Sequence, residues 1–350
     1  MTAEKREGIV RAMSLRHFRN GLLAAAGLAA LIAPSAPARA EVEHASLAVP
    51  ATVVLFLFEY VAEEQHIYEQ QQLDVKPTLI VGVGSINAVI AGSSDFSISS
   101  GGSLTRAASH GQRLLAIANM NDHNGQDLVI RKDVAEAAHF DPKVPLAERA
   151  KILKGKTIGI DGVGSVVDSI VKVVAKEGGV DPATVTVSPM QPADTLAAFA
   201  RHAIDGFAGG PPWSQQVMVE GSAVIVASGV AGEPKQFDPI GSSMILTRPD
   251  FCKQHQSICV KMGHAMKLAA DFIHAHPDES IAILKKRFAN VPDPALKASY
   301  EAVRDMTPQP PTPNEKELAN AENMNVAAGF MKADDKLKSY DGLFTAEFAK

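Results

Sequence analysis

The chain has 350 residues, 46% of them hydrophobic and 21% charged, with 34 basic against 39 acidic side chains and a formal net charge of −5. That length and apolar content suit two lobes of ordinary domain size. A mildly acidic chain with no basic stripe interleaved with aromatics excludes a nucleic-acid partner, and no stretch approaches the roughly twenty apolar residues of a membrane span.

Residues 1–40 read as a cleaved export signal: Arg11, Arg16 and Arg19 form a positive start, Gly21 to Ile32 an uncharged apolar core, and Ala38-Arg39-Ala40 a small-residue cleavage site. Cleavage is expected after Ala40. Met1 and Met13 both fit as the start, and the absence of paired arginines at 16–19 argues against the twin-arginine route. No cysteine follows the cleavage site, so a lipid anchor there is not expected. Removing the six basic and two acidic residues of this segment takes the net charge from −5 to −9.

Glu43 to Val49 alternates as a first strand, and Pro50-Ala51-Thr52 turns it into the apolar, helix-like segment Val53 to Ala62. Leu73 to Leu79 reads as a second strand. It leads to Gly82-Val-Gly-Ser85 and a helix through Ile90, and then Ala91 to Asp95 turns into the strand Phe96 to Ser99, with Ser100-Gly101-Gly102 beyond it. Leu104 to His110 continues as helix and Leu114 to Asn119 as strand. A change of lobe is expected near Asn121 to Gly125, because this polar patch separates Leu114 to Met120 from the strand Asp127 to Arg131, and loops at such hinges often carry binding residues.

The second lobe opens with the strand Asp127 to Arg131 and a charged, proline-punctuated stretch to 153. Its organising element is Lys154 to Asp168: a short buried strand at Thr157 to Ile160, the glycine turn Asp161-Gly-Val-Gly164, then Val166, Val167, Ile170, Val171 and Val174 at helical spacing. Ser165 stands where a helix cap belongs. Glycines allow close approach and free amides at a helix start favour an anionic or carbonyl-bearing ligand, so the two Gly-Val-Gly-Ser turns are expected as facing, ligand-gripping ends. Neither is a nucleotide motif, since the P-loop lysine is missing and Asn87 and Val167 replace the last glycine of the dinucleotide spacing.

Thr184 to Val187 is expected as strand, Ala193 to Ala203 as helix, Ile204 to Phe207 as strand, and Gly209-Gly-Pro-Pro-Trp213 opens the next helix before the strand Val224 to Ala227. Both halves thus show a strand, the same four-letter turn, a helix, a turn aspartate (Asp95 or Asp205), a phenylalanine and paired glycines, a weak internal symmetry. Ser242 to Leu246 returns to the first lobe, and from Pro249 the chain reads as helices over Cys259 to Ala275, His276 to Phe288, Pro294 to Asp305 and Lys316 to Met331. The fold class is therefore α/β: two doubly wound lobes, 41–126 with 246–350 and 127–245, joined by a hinge, with the helical C-terminal region packing on the first lobe. Ligands of such sheets sit outside the carboxyl ends of the strands.

Cys252 and Cys259 lie about 10 Å apart on a straight helix, so they are either two free buried thiols or a disulfide that needs a bend near Gln254 to Ser257. No metal site is expected, because His274 and His276 diverge on a helix and no His-x3-His pair occurs. No Gly-x-Ser-x-Gly or cleft cysteine suggests catalysis, and neither an enzyme nor a cofactor is expected.

Leu73-Asp-Val75, Ala91-Gly-Ser-Ser-Asp-Phe96, Leu153-Lys-Gly-Lys-Thr-Ile-Gly159, Gly164-Ser165, Gly178-Gly-Val-Asp-Pro182, Ile204-Asp205, Pro211 and His276-Pro277 together resemble the solute-binding proteins of nitrate, sulfonate, taurine and thiamine-precursor ABC importers, over roughly 45–290. The resemblance implies a type II periplasmic binding fold, a periplasmic location, ligand capture by lobe closure, and delivery to an inner-membrane permease with its cytoplasmic ATPase, the protein itself being expected as a monomer. His66, Gln72 and His202 depart from it by standing where glycines are usual, which bears on local turns. The fold also houses enzymes; the pyrimidine-synthase type has a cysteine-rich motif that is missing here.

The expected ligand-binding residues are Pro50, Thr52, Gly84, Ser85, Ser99, Ser100, Gly101, Asn121, Gly162, Val163, Gly164, Ser165, Gly210, Pro211 and Trp213. The expected ligand is a small organic anion, a sulfonate or an aromatic or aliphatic carboxylate, held by helix starts and serines. The alternatives are a neutral heterocycle such as a thiamine pyrimidine precursor or a flavin, with Trp213 stacking on it, or a ligand presented to a membrane sensor. Trp213 reads equally as a lobe-packing aromatic.

Overall fold

The structure, a computed structural model, describes residues 42–350; the expected export signal and the expected cleavage after Ala40 lie outside the described residues. The first sheet has the order β2-β1-β3-β10-β4, built from β1 (Glu43–Val49), β2 (Leu73–Leu79), β3 (Phe96–Ser99), β4 (Leu115–Asn121) and β10 (Ser243–Thr247). The second has the order β7-β6-β8-β5-β9, built from β5 (Asp127–Arg131), β6 (Thr157–Ile160), β7 (Thr186–Pro189), β8 (Gly206–Gly209) and β9 (Ala223–Ser228). Each sheet is parallel except for one strand, β10 in the first and β5 in the second. Those two strands arrive from the opposite lobe, so the chain crosses twice. β10 is buried along its whole length, as a central strand covered on both faces must be. The strand beginning at Ser243 already belongs to the first sheet, a few residues before the 245/246 boundary read from sequence.

The two sheets share one topology, but the two Gly-Val-Gly-Ser turns do not occupy equivalent places in it. The first follows β2, the edge strand of its sheet, and the other follows β6, which stands one strand in from the edge where the first sheet has β1. The equivalent features are the aspartates. Asp95 before β3 accepts from the Ser46 amide of β1 (2.9 Å), and Asp205 before β8 accepts from the Thr157 amide of β6 (2.8 Å). Each carboxylate tethers the start of its strand to the neighbouring one, which is why strand structure begins at Gly206 and not at Ile204.

Helices α1 (Leu57–Glu64), α2 (Gly84–Ile90), α3 (Gly101–Ser109), α4 (Val166–Glu177), α5 (Pro192–Ala200) and α6 (Trp213–Val219) connect the strands. Val54 to Phe56 is a 3₁₀ turn, so the first helix starts later than its apolar run suggests. In α4, Val167, Ile170, Val171 and Val174 are all buried, and the Ser165 hydroxyl accepts from the Asp168 amide as the N-cap.

The C-terminal helices are α7 (Pro249–Gln254), α8 (Gln256–Ala275), α9 (Pro277–Arg287), α10 (Asp293–Met306) and α11 (Glu315–Ala328). α8 buries Cys259, Met262, Met266, Ala269, Ala270 and Ile273 as one stripe against the first-lobe core. His255 breaks α7 from α8, which brings the Cys252 and Cys259 Cα atoms to 5.6 Å and closes a disulfide. The last helix departs from the expected packing on the first lobe alone. α11 gives Leu318 to a first-lobe cluster but Ala321, Met324 and Ala328 to the second-lobe core.

The three departures from glycine named above share one backbone feature: His66 (φ 53°), Gln72 (φ 55°) and His202 (φ 59°) all adopt the left-handed conformation that glycine favours.

Candidate functional site

The carboxyl ends of the strands in both sheets converge on a cleft of about 340 Å³. The first lobe supplies Pro50 and Ala51 after β1, the turn Leu55-Phe56, and Val81 to Val83 after β2. The second supplies Asp161 to Val163 and Ser165 after β6, Met190 to Pro192 after β7, and Phe207 to Gly210 with Trp213 at β8. Gln126 from one crossing and Ser242 and Ser243 from the other close the hinge side. Both Gly-Val-Gly-Ser turns therefore reach one cleft from opposite lobes.

Of the expected residues, Pro50, Gly162, Val163, Ser165, Gly210 and Trp213 line the cleft. Ser100 lies in a small neighbouring pocket with Arg106 and Asn325, and Thr52 in an outer groove on the far side of Trp213. The remaining ones are committed to the protein. Ser85 is buried and donates to the carbonyls of Gly82 (3.0 Å) and Ile98 (3.3 Å), while Gly84 has Ile80 packed against it. Ser99 ends β3 outside the cleft lining, and the Gly101 amide donates to Gly241 beneath α11. Asn121, fully buried, donates to the Leu55 carbonyl (2.9 Å), and the Pro211 carbonyl accepts from Val54 (3.1 Å), both at the lobe junction. Gly164 turns its carbonyl to Arg106.

The expected residues leave out Val81, Gln126, Asp161, Gln191, Thr195, Phe207 and Ser242, and in the first Gly-Val-Gly-Ser turn they name Gly84 and Ser85 where Gly82 and Val83 line the cleft. Most lie at strand ends already recognised, and the rule that places ligands there would have included them if applied to every strand. Asp161 stands in the central stretch, where the sequence pattern marks only the start of a turn.

The electrostatics differ from the expected anion-gripping end. Among the described residues no Lys, Arg or His lines the cleft, and its one ionisable group is Asp161. The Ser165 hydroxyl donates to Asp161 (2.6 Å), and desolvation holds the Asp161 carboxyl above its ordinary pKa. Asp168 accepts from the Gly164 amide (2.8 Å) and the Ser165 hydroxyl caps the Asp168 amide (3.2 Å). Two of the protein's own carboxylates thus stand at the positive end of α4. The rest of the lining is mainly apolar. Trp213 meets Phe288 of the first lobe edge-on at 6.3 Å, so it both lines the cleft and packs between lobes, and its buried indole N–H has no acceptor among the described residues.

The two crossings lie side by side, with Ile240 donating to the Asp122 carbonyl (2.8 Å) and Ser242 to that of Asn121 (3.0 Å). His123 sits between Asp122 (3.0 Å) and Asp238 (3.6 Å), one carboxylate from each crossing. The Asp122 carboxylate, helped by Asp238 and opposed by desolvation, pushes its pKa up to about 8.

Two mixed sheets facing each other across a hinged cleft define the fold of the periplasmic binding proteins. Solved structures share it: a Bordetella bronchiseptica RB50 protein (TM-score 0.76, 18% identity, 87% of this chain and 95% of that one), the alkanesulfonate-binding protein SsuA from Xanthomonas axonopodis pv. citri bound to MOPS (0.66, 17%, 85% and 97%), and the nitrate-binding protein NrtA from Synechocystis PCC 6803 (0.65, 18%, 88% and 87%). The chain belongs to the NMT1/THI5-like family, whose sequence model matches residues 55–280. No curated protein matches it in sequence.

Proposed function

We propose that this protein is the exported, periplasmic substrate-binding component of an ABC importer, and that it captures an uncharged or donor-bearing, largely apolar ring rather than an organic anion. Family and fold support the transport role. The ligand class rests on one observation: the cleft offers apolar walls, aromatic rings, and a single carboxylate, Asp161, with no cation in its lining and with a second carboxylate, Asp168, in the first turn of α4. A sulfonate or carboxylate placed there would lose its hydration without a compensating charge. A neutral heterocycle keeps its faces against Val81, Val163 and Trp213 and points a donor at Asp161. Alkanesulfonate and nitrate binding belong to the structural relatives and do not transfer at this identity. On this reading the protein acts as a monomer that closes on its ligand and hands it to a membrane permease driven by an ATPase, without turnover.

Thermal-shift and Trp213 fluorescence titrations of the chain from Glu41 test this against pyrimidines, flavins, aromatic amines, sulfonates, nitrate and carboxylates. A ligand at a hundredfold excess over its Kd adds about 2.7 kcal/mol of stability. Asp161→Asn keeps the shape and the Ser165 contact, and should weaken a donor-bearing ligand about tenfold to a hundredfold, the range for a hydrogen bond to a charged group. Stabilisation by anions alone, or unchanged affinity in Asp161→Asn, would reject the proposed ligand class.

A further inference from the structure

The second glycine turn is held from both lobes at one residue. The Gly164 amide donates to Asp168 of its own helix (2.8 Å), while the Gly164 carbonyl accepts from Arg106 Nη1 on α3 of the first lobe (2.9 Å). Gly164 has φ +80°, so the peptide is set for this double engagement in a conformation that other residues rarely adopt. Arg106 is itself positioned. Its guanidinium lies over the Phe330 ring at 5.5 Å, and Lys172, paired with Asp168 at 2.9 Å, lies 4.2 Å from the same ring centre. Asp168 is fully buried. A charge-assisted bond between lobes, backed by a stacked aromatic and a buried carboxylate, is strong enough to bias a two-state opening.

The chain neighbours of this latched peptide, Gly162, Val163 and Ser165, line the ligand cleft, and Val163 is 66% exposed there. We infer that Arg106 is a positioning residue that couples the ligand-facing Asp161 to Ser165 turn to lobe closure: its bond to the Gly164 carbonyl latches the closed arrangement and sets the turn at ligand-contact position. Arg106 touches the loop and not the ligand cleft. An opened lobe must break the Arg106 bond, so any ligand that fixes the turn also favours the latch. The inference rests on lobe closure as the capture step, but its test needs no ligand and is separate from the ligand class.

The test is the interlobe distance in the ligand-free protein, measured between spin labels on Thr78→Cys of β2 and Thr186→Cys of β7. Both positions are exposed, and the two native cysteines are tied in their disulfide. With Arg106 present a single narrow distribution is expected. Arg106→Gln should broaden it and move it to longer distance, and Phe330→Leu should do so partially by loosening the guanidinium. Arg106→Lys, which retains charge and stem, should lie between wild type and Arg106→Gln and serves if the glutamine variant does not fold. Superimposable distributions for wild type and the Arg106 variant, whether or not its melting point falls, would overturn the latch and leave Arg106 a merely structural contact.

Discussion

Single side chains decide how this hinge responds to pH. His123 has a folded pKa raised to about 8, against an ordinary value of 6.5, so its contribution to stability is full below about pH 6.5 and is lost as the pH rises through 8. A shift of that size corresponds to about 2 kcal/mol, which screening at a side chain 31% exposed reduces to about 1 kcal/mol. Glu59, raised to about 8, and Glu317, raised to about 7, both by burial, also favour lower pH, so only a difference isolates the histidine. Urea unfolding at pH 6 and pH 9 should therefore show a smaller loss of stability in His123→Gln than in wild type, by about 1 kcal/mol; equal losses would exclude the charged hinge. The left-handed residues act through the backbone instead. A non-glycine residue there costs about 1–2 kcal/mol, of which glycine returns part to the unfolded chain as entropy. Gln72→Gly should raise unfolding stability by about 0.5–1 kcal/mol, because the Gln72 side chain is exposed and its backbone carbonyl, which receives Glu43 and Lys261, is kept. This position was legible without coordinates, since glycine's usual place carried a glutamine.

At the scale of elements, α7 and α8 are two helices where a continuous one would separate the cysteines. The disulfide spans seven positions and sits on the first-lobe core, where Cys259 is fully buried. Closing so short a loop is worth about 2–3 kcal/mol in the chain-entropy view. Cys252→Ser with Cys259→Ser should lower unfolding stability by that amount in chemical denaturation, and an unchanged midpoint would mean that the bend, not the bond, holds the pair. Spacing alone left bridge and thiols open because the break at His255 carries no proline or glycine. The strand and helix alternation was readable because each element has its own period, and the Ser165 cap because its chemistry is local. Equivalence of the two glycine turns was not readable: identical letters report a turn, whereas strand order is set by pairing partners far away in sequence. The character of the site was lost for a related reason. Free amides at a helix start attract anions, yet Asp161 and Asp168 stand beside that end and no cation lines the cleft, so these carboxylates decide its sign.

For the whole molecule, the unexpected part is α11. Besides its apolar residues, Asn325 donates to the Gly102 carbonyl of the first lobe (2.7 Å), Asn320 to Pro239 of the second crossing (2.7 Å), and Lys176 of the second lobe to the Ala327 carbonyl (2.5 Å). Its small and medium residues gave no sequence sign of facing two cores, because a helix with buried positions on two sides has no single apolar stripe. Two lobes with separate cores and only a hinge between them should unfold in separate steps; a helix seated in both makes their unfolding one event. Ala321 is the wedge. It is 1% exposed, belongs to the second-lobe core, and lies 3.3 Å from where a side chain on Gly101 of the first lobe would begin. Scanning calorimetry of the ligand-free protein should show one transition whose calorimetric and van't Hoff enthalpies agree. Ala321→Asp, by burying an unpaired charge and a larger side chain at the seat, should split it into two, the cores of the lobes then melting independently. A single transition in that variant, only moved to lower temperature, would mean that the crossings and the Arg106 contact suffice to couple the lobes and that α11 merely covers them.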